Sequence, residues 1–141
     1  MAADPCTPDR VPMPPAGLAL VVDDSRTMRS ILARLLAGLG WASQGAGNGR
    51  EALDLLEAGC RPDLVLVDWN MPLMNGLDFV SAVRANPDYA AIPLIMVSTE
   101  SELEQIVHAL EAGADEYIVK PFTPDALAHK IDVLILDGAT S

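Results

Sequence analysis

The chain has 141 residues, half of them hydrophobic, which suits one domain with a proper core; two domains would need more chain, and a disordered protein would be less apolar. The formal net charge of −11, from nine Lys and Arg against twenty Asp and Glu, argues against a nucleic-acid binder, which needs clustered cations. No apolar run approaches the roughly 20 residues of a membrane span, and no basic-then-apolar leader is present, so a cytoplasmic protein without membrane insertion is expected.

Residues 1–17 contain five prolines and no apolar periodicity, and are expected to form a disordered tail. The domain is expected over 18–137, with a short C-terminal tail at 138–141. Five apolar runs follow the first tail: LALVV (18–22), the weaker WASQG (41–45), LVLV (64–67), LIMV (94–97) and EYIV (116–119). Three are nearly continuous, as in parallel strands covered on both faces. Amphipathic segments separate them. Met28, Ile31, Leu32, Leu35, Leu36 and Leu39 share one helical face, and Leu77, Val80 and Val83 support a helix over 76–85.

Helix signals agree with this spacing. Asn48 with Glu51, and Ser101 with Glu104, have capping-box character, and Thr123–Pro124 reads as a cap followed by the first helical residue. Gly40, Gly59 and Gly113 sit at helix stops. Cys6 and Cys60 lack metal-site or redox spacing and read as free thiols. Strict alternation of five strands and five helices, with right-handed crossovers, makes an α/β, doubly wound (βα)5 parallel sheet. Ligands of such sheets bind beyond the carboxyl ends of the strands.

The residues at those ends share one chemistry. Strand 1 runs into Asp23 and Asp24, strand 3 into Asp68, strand 4 into Ser98 and strand 5 into Lys120. Three carboxylates at one mouth resist simultaneous ionisation. A hard cation with oxygen ligands relieves that, and Mg²⁺ suits a few carboxylates plus waters and phosphate oxygens. Lys120 and Ser98 add a positive charge and a hydroxyl donor, a set suited to compensating charge on a phosphoryl group. His108 and His129 fall within helices, away from this mouth. The sequence has no GxSxG elbow, Walker loop or GxGxxG, which removes support from a hydrolase, an NTPase and a dinucleotide oxidoreductase.

The runs VVDDSRTMR (21–29), LVLVDWNMPLMNG (64–76), VSTE (97–100) and YIVKPF (117–122) resemble the receiver domain of two-component response regulators, most closely the stand-alone chemotaxis type. The resemblance implies a flavodoxin-like sheet of order 2-1-3-4-5 and a phosphoacceptor at Asp68. It further implies Mg²⁺ held by Asp23, Asp24, Asp68 and the Asn70 backbone carbonyl, with Ser98 and Lys120 on the phosphoryl oxygens. Lys120–Pro121 would be a cis peptide. Tyr117 would be an aromatic switch that moves inward with Ser98, and Asn70 and Glu100 would tune dephosphorylation.

As implied by the resemblance, the protein is a phosphoacceptor switch that catalyses its own phosphorylation and dephosphorylation and is not a conventional enzyme. Its partners would be a sensor histidine kinase of the chemotaxis type, a phosphatase, and a target such as the flagellar switch, met through helix 4, strand 5 and helix 5. A phosphorelay intermediate serving a histidine phosphotransfer protein is the alternative. A Mg²⁺-dependent phosphohydrolase is disfavoured because Asp23 and Asp24 are adjacent instead of forming a D-x-D pair. A binding module that is never phosphorylated is disfavoured because every expected site residue is present.

Overall fold

In the computed structural model, which describes residues 17–71 and 73–140, ten elements alternate along the chain. They are β1 (Leu18–Val22), α1 (Arg26–Gly38), β2 (Ala42–Ala46), α2 (Gly49–Glu57), β3 (Leu64–Asp68), α3 (Gly76–Ala85), β4 (Leu94–Ser98), α4 (Leu103–Ala112), β5 (Glu116–Val119) and α5 (Pro124–Thr140). All strands are parallel, in the order β2-β1-β3-β4-β5. This is the doubly wound, flavodoxin-like arrangement expected from the sequence.

Each central strand feeds two cores, because successive side chains point to opposite faces of a sheet. Leu20, Val22, Val65, Val67, Leu94 and Met96 pack with Phe79, Val80 and Val83 of α3 and with α2. The intervening Ala19, Val21, Leu64, Leu66, Ile95 and Val97 pack with Leu32 and Leu36 of α1 and with Leu127 and Ile131 of α5. A strand covered on both sides must be apolar throughout, so these runs show no polar alternation.

Most local signals are realised. Asn48 caps α2 by accepting from the Glu51 N–H at 2.8 Å, and Asn75 caps α3 by accepting from Asp78 at 2.9 Å. Thr123 caps α5 through the Ala126 N–H at 3.0 Å. Gly40, Gly59 and Gly113 take φ of 88°, 113° and 125°, the left-handed region that ends a helix cheaply only at glycine.

Several expectations are corrected. Ser101 does not cap α4: Glu102 occupies the cap position, makes no side-chain cap bond, and the helix begins at Leu103. β2 starts one residue later than expected, because Trp41 turns into the α1 core and bonds its N–H back to the Leu36 carbonyl at 2.9 Å. On α1 the apolar face is wider than the contact it makes, leaving Ile31 and Leu39 exposed. Cys60 is buried and disulfide-bonded, not a free thiol, while Cys6 and the rest of residues 1–16 lie outside the described residues. Finally, α5 continues to Thr140, into the segment expected as a C-terminal tail.

Candidate functional site

The sheet register brings the strand-end residues level with one another. Asp68 is the last residue of β3 and sits opposite Val97, one residue before Ser98 ends β4; Ser98 in turn lies opposite Val119, which precedes Lys120. Asp23 follows β1 directly and is tied to the neighbouring strand by its N–H to the Ala46 carbonyl at 3.0 Å. Carboxylate oxygens of Asp23, Asp24 and Asp68 all lie within 4.8 Å of one another. Asp23 is buried, Asp68 is partly buried and Asp24 is exposed, so the cluster opens to solvent on the Asp24 side.

Lys120 lies across this cluster, with Nζ 3.2 Å from Asp23 Oδ2 and 3.6 Å from Asp68 Oδ1. Its backbone N–H is anchored on the Ser98 carbonyl at 2.7 Å, and the Lys120–Pro121 peptide is cis. One ammonium thus pairs with two of the three carboxylates. Burial pushes the Asp68 carboxyl above its ordinary range; Lys120 opposes the rise, while Asp23 and Asp24 add to it and a backbone hydrogen bond from Asn70 lowers it. A hard divalent cation with oxygen ligands fits this donor set, which is acidic, solvent-accessible and too small to cage the ion completely.

Ser98 is fully buried, and its hydroxyl accepts the Glu100 N–H at 3.1 Å. Tyr117 is buried too, with its hydroxyl donating to the Glu100 carbonyl at 2.7 Å. The ring expected to move inward therefore stands inward here. Burial raises the Tyr117 hydroxyl above its ordinary pKa; a hydrogen bond with Ser98 opposes the rise, and the charges of Glu100 and Asp68 add to it. Trp69 packs edge-on against Tyr117 at 6.3 Å and against His108 of α4 at 6.2 Å between ring centroids. Asn70 and Glu100 are exposed beside the mouth.

Two supporting residues have no role readable from the sequence alone. Arg29, one turn into α1, donates to the Asp23 carbonyl at 2.6 Å and so braces the acidic turn from behind. Gly76 opens α3 against the back of the acceptor strand: its N–H donates to the Trp69 carbonyl at 2.8 Å, and a Cβ there would collide with the Asp68 carbonyl oxygen. Sequence pattern suggests a helix start at Gly76 but not this close approach. For Arg29, six residues beyond Asp23, no periodicity rule points to the contact. Ser25 also contributes locally, capping α1 through the Met28 N–H while its own N–H donates to Asp23 Oδ1 at 2.9 Å.

Comparison with known proteins agrees with this arrangement. The profile of the response regulator receiver domain matches residues 19–132. Chemotaxis protein CheY1 of Helicobacter pylori is 46% identical over 117 residues, covering 82% of this chain and 94% of the relative. The CheY homolog of Campylobacter jejuni is 46% identical over 121 residues, covering 85% and 93%. Among solved structures, the chemotaxis response regulator CheY4 of Vibrio cholerae superposes with a TM-score of 0.78 at 35% identity, covering 83% of this chain and 97% of that one. The signal receiver domain of a histidine kinase from Syntrophus aciditrophicus gives 0.80 at 35% identity, covering 86% and 92%.

Proposed function

The chain belongs to the response regulator receiver domain family, and from that premise we propose that it is a single-domain response regulator in chemotaxis signalling whose Asp68 accepts a phosphoryl group from a sensor histidine kinase. The observation that carries this reading is the geometry around Asp68. Its carboxylate belongs to the last residue of β3, the middle strand of the sheet, 3.6 Å from a lysine and within 4.8 Å of two further carboxylates.

In the transfer, an Asp68 carboxylate oxygen attacks phosphorus in line with the departing imidazole nitrogen of the phosphohistidine. The P–N bond breaks as the acyl-phosphate bond forms, its electron pair stays on the imidazole nitrogen, and a proton from solvent restores the neutral ring. Asp23, Asp24 and Asp68, with the Asn70 carbonyl, would hold Mg²⁺, which would supply charge to offset the phosphoryl oxygens. Lys120, released from its ion pair with Asp68, follows the new negative charge onto a phosphoryl oxygen, and the Ser98 hydroxyl donates to another. Moving Ser98 costs its bond with the Glu100 N–H, and the Glu100 carbonyl also holds Tyr117. The acyl phosphate thereby biases the loop between β4 and α4 together with the Tyr117 ring, and with them the surface of α4, β5 and α5. A target such as the flagellar switch would read that surface. Asn70 and Glu100, at the rim, would govern the access of water and of a phosphatase to the phosphoryl group.

Trp69 adjoins the acceptor and contacts Tyr117, so its fluorescence is a built-in reporter. Addition of Mg²⁺ and acetyl phosphate to the full chain should change its emission, with loss of the change in Asp68→Asn. Trp41, buried in the α1 core away from the mouth, supplies a constant background. Absence of phosphorylation with both reagents present would overturn the reading. Repeated turnover of phosphoesters would instead indicate a hydrolase, and transfer of the group from phosphorylated protein to a histidine phosphotransfer domain would indicate a relay.

A further inference from the structure

A second concentration of charge lies away from the acidic mouth, where α1 overhangs the outer edge of β2. α1 carries Arg26, Arg29 and Arg34 and no carboxylate, in a chain whose acids outnumber its bases twenty to nine. Arg29 is engaged by the Asp23 carbonyl. Arg26 and Arg34 are exposed, and no ion pair joins either to a carboxylate among the described residues. Both line a cleft of about 300 Å³ against Ser43, Gln44 and Gly45, and the small side chains of Ser30 and Ala33 leave it open.

Among the described residues the strand below is a sheet edge, paired on one side only. Ala42 donates its N–H to the Gly17 carbonyl at 2.9 Å, and the Ala46 carbonyl accepts the Asp23 N–H at 3.0 Å. Alternation along a parallel ladder therefore turns the backbone groups of Ser43 and Gly45 outward. The Gly45 carbonyl takes a long bond of 3.3 Å from Gln44 Nε2. A Cβ on Gly45 would meet Arg29 Cδ at 3.2 Å, so positions 43 and 45 face α1. A chain laid beside β2 would present alternate side chains to the same helix.

The spacing fits such a chain better than a small anion. Arg26 and Arg34 are eight residues apart, about 12 Å along a helix. Carboxylates four residues apart on a strand are separated by about 13 Å. One phosphate would leave the outward backbone groups of β2 unused. We propose that this cleft binds an extended acidic segment of a partner protein, added as a sixth strand beside β2, with carboxylates at i and i+4 on the two arginines.

The test is a fluorescein-labelled peptide of about ten residues, rich in Val and Thr with two glutamates four apart. It is titrated by anisotropy against the full chain at about 0.1 M salt, where remote carboxylates are screened beyond roughly 10 Å. Saturable binding is expected, weakened at least about tenfold by Arg26→Glu/Arg34→Glu, which corresponds to the loss of charge-assisted pairs. N-methylation of alternate peptide nitrogens should abolish it in one of the two registers, and Asp68→Asn should leave it unchanged. Circular dichroism establishes that the variant is folded, and Arg34→Gln gives a milder second measurement. No binding, binding that survives charge reversal or methylation in both registers, or displacement by millimolar inorganic phosphate would each overturn the proposal.

Discussion

Aspartates stand at both ends of this sheet, and they are treated in opposite ways. At the amino end, Asp63 accepts the Leu18 N–H at 3.0 Å, while Asp115 accepts the Leu94 N–H at 2.9 Å and pairs with Arg84 at 2.8 Å. Each of these carboxylates meets a donor that a strand start would otherwise leave open, so its charge is compensated where it sits. At the carboxyl end, Asp23, Asp24 and Asp68 crowd together against one lysine. Compensation is incomplete there, and the excess negative charge makes the mouth receptive to a cation. The same side chain is a structural fastener at one end and part of a poised electrostatic site at the other.

The sharpest break between the two ends is functional. Asp68→Asn should abolish incorporation of phosphate from a small phosphodonor, whereas Asp115→Ala should leave its rate within about twofold, as read by Trp69 emission or by radiolabelled donor. Equal losses in both would show that the contrast is one of folding only. Next in size, Lys120→Ala should slow phosphorylation by about 100-fold or more. The same change leaves the buried Asp23 without its cation and should lower stability by about 3 kcal/mol in urea unfolding.

Loss of a fastener at the amino end is felt in stability alone. Asp115→Ala removes the partner of a buried strand N–H and of Arg84, with an expected cost of about 2 kcal/mol. Smallest is the effect of relieving the crowded mouth. Because the Asp68 carboxyl is raised in the folded protein, its ionised form destabilises the fold above the ordinary carboxylate range and its protonated form does not. Without Mg²⁺, Asp68→Asn should therefore raise stability near neutral pH. That gain should shrink as pH falls through the raised value and vanish below the ordinary one. A constant gain from pH 4 to 8 in thermal melts would rule out the buried Asp68 charge as its cause. Mg²⁺ at a hundred times its dissociation constant should stabilise the native chain by about 2.7 kcal/mol and the Asn variant by much less.

Much of this was legible in the sequence, through signals of short range. Continuous apolar runs marked buried parallel strands, and Asn48 and Thr123 marked helix starts that their side-chain bonds confirm. Ser101 misled because a capping residue is recognised by its neighbours in sequence, while the loop after β4 is set by Ser98 and Tyr117, whose bonds hold Glu100 and delay the helix to Leu103. Cys60 misled because spacing alone cannot reveal a bonded cysteine. Ile31 misled because periodicity defines a face, and only packing decides how much of that face is covered.

By itself the sequence determined the alternating α/β class and placed five polar residues at strand ends, because strand period, helix period and caps are written within a few residues. Tertiary structure alone decided which aspartates share charge. Lys120 reaches Asp23 across 97 residues of chain, and Arg84 reaches Asp115 across 31. Those meetings follow from strand order and register, since parallel neighbours set one residue out of step would turn every side chain to the opposite face. The order itself, with the polar β2 at the edge and β3 at the centre, puts Asp68 in the middle of the mouth and leaves the α1–β2 cleft open at its border.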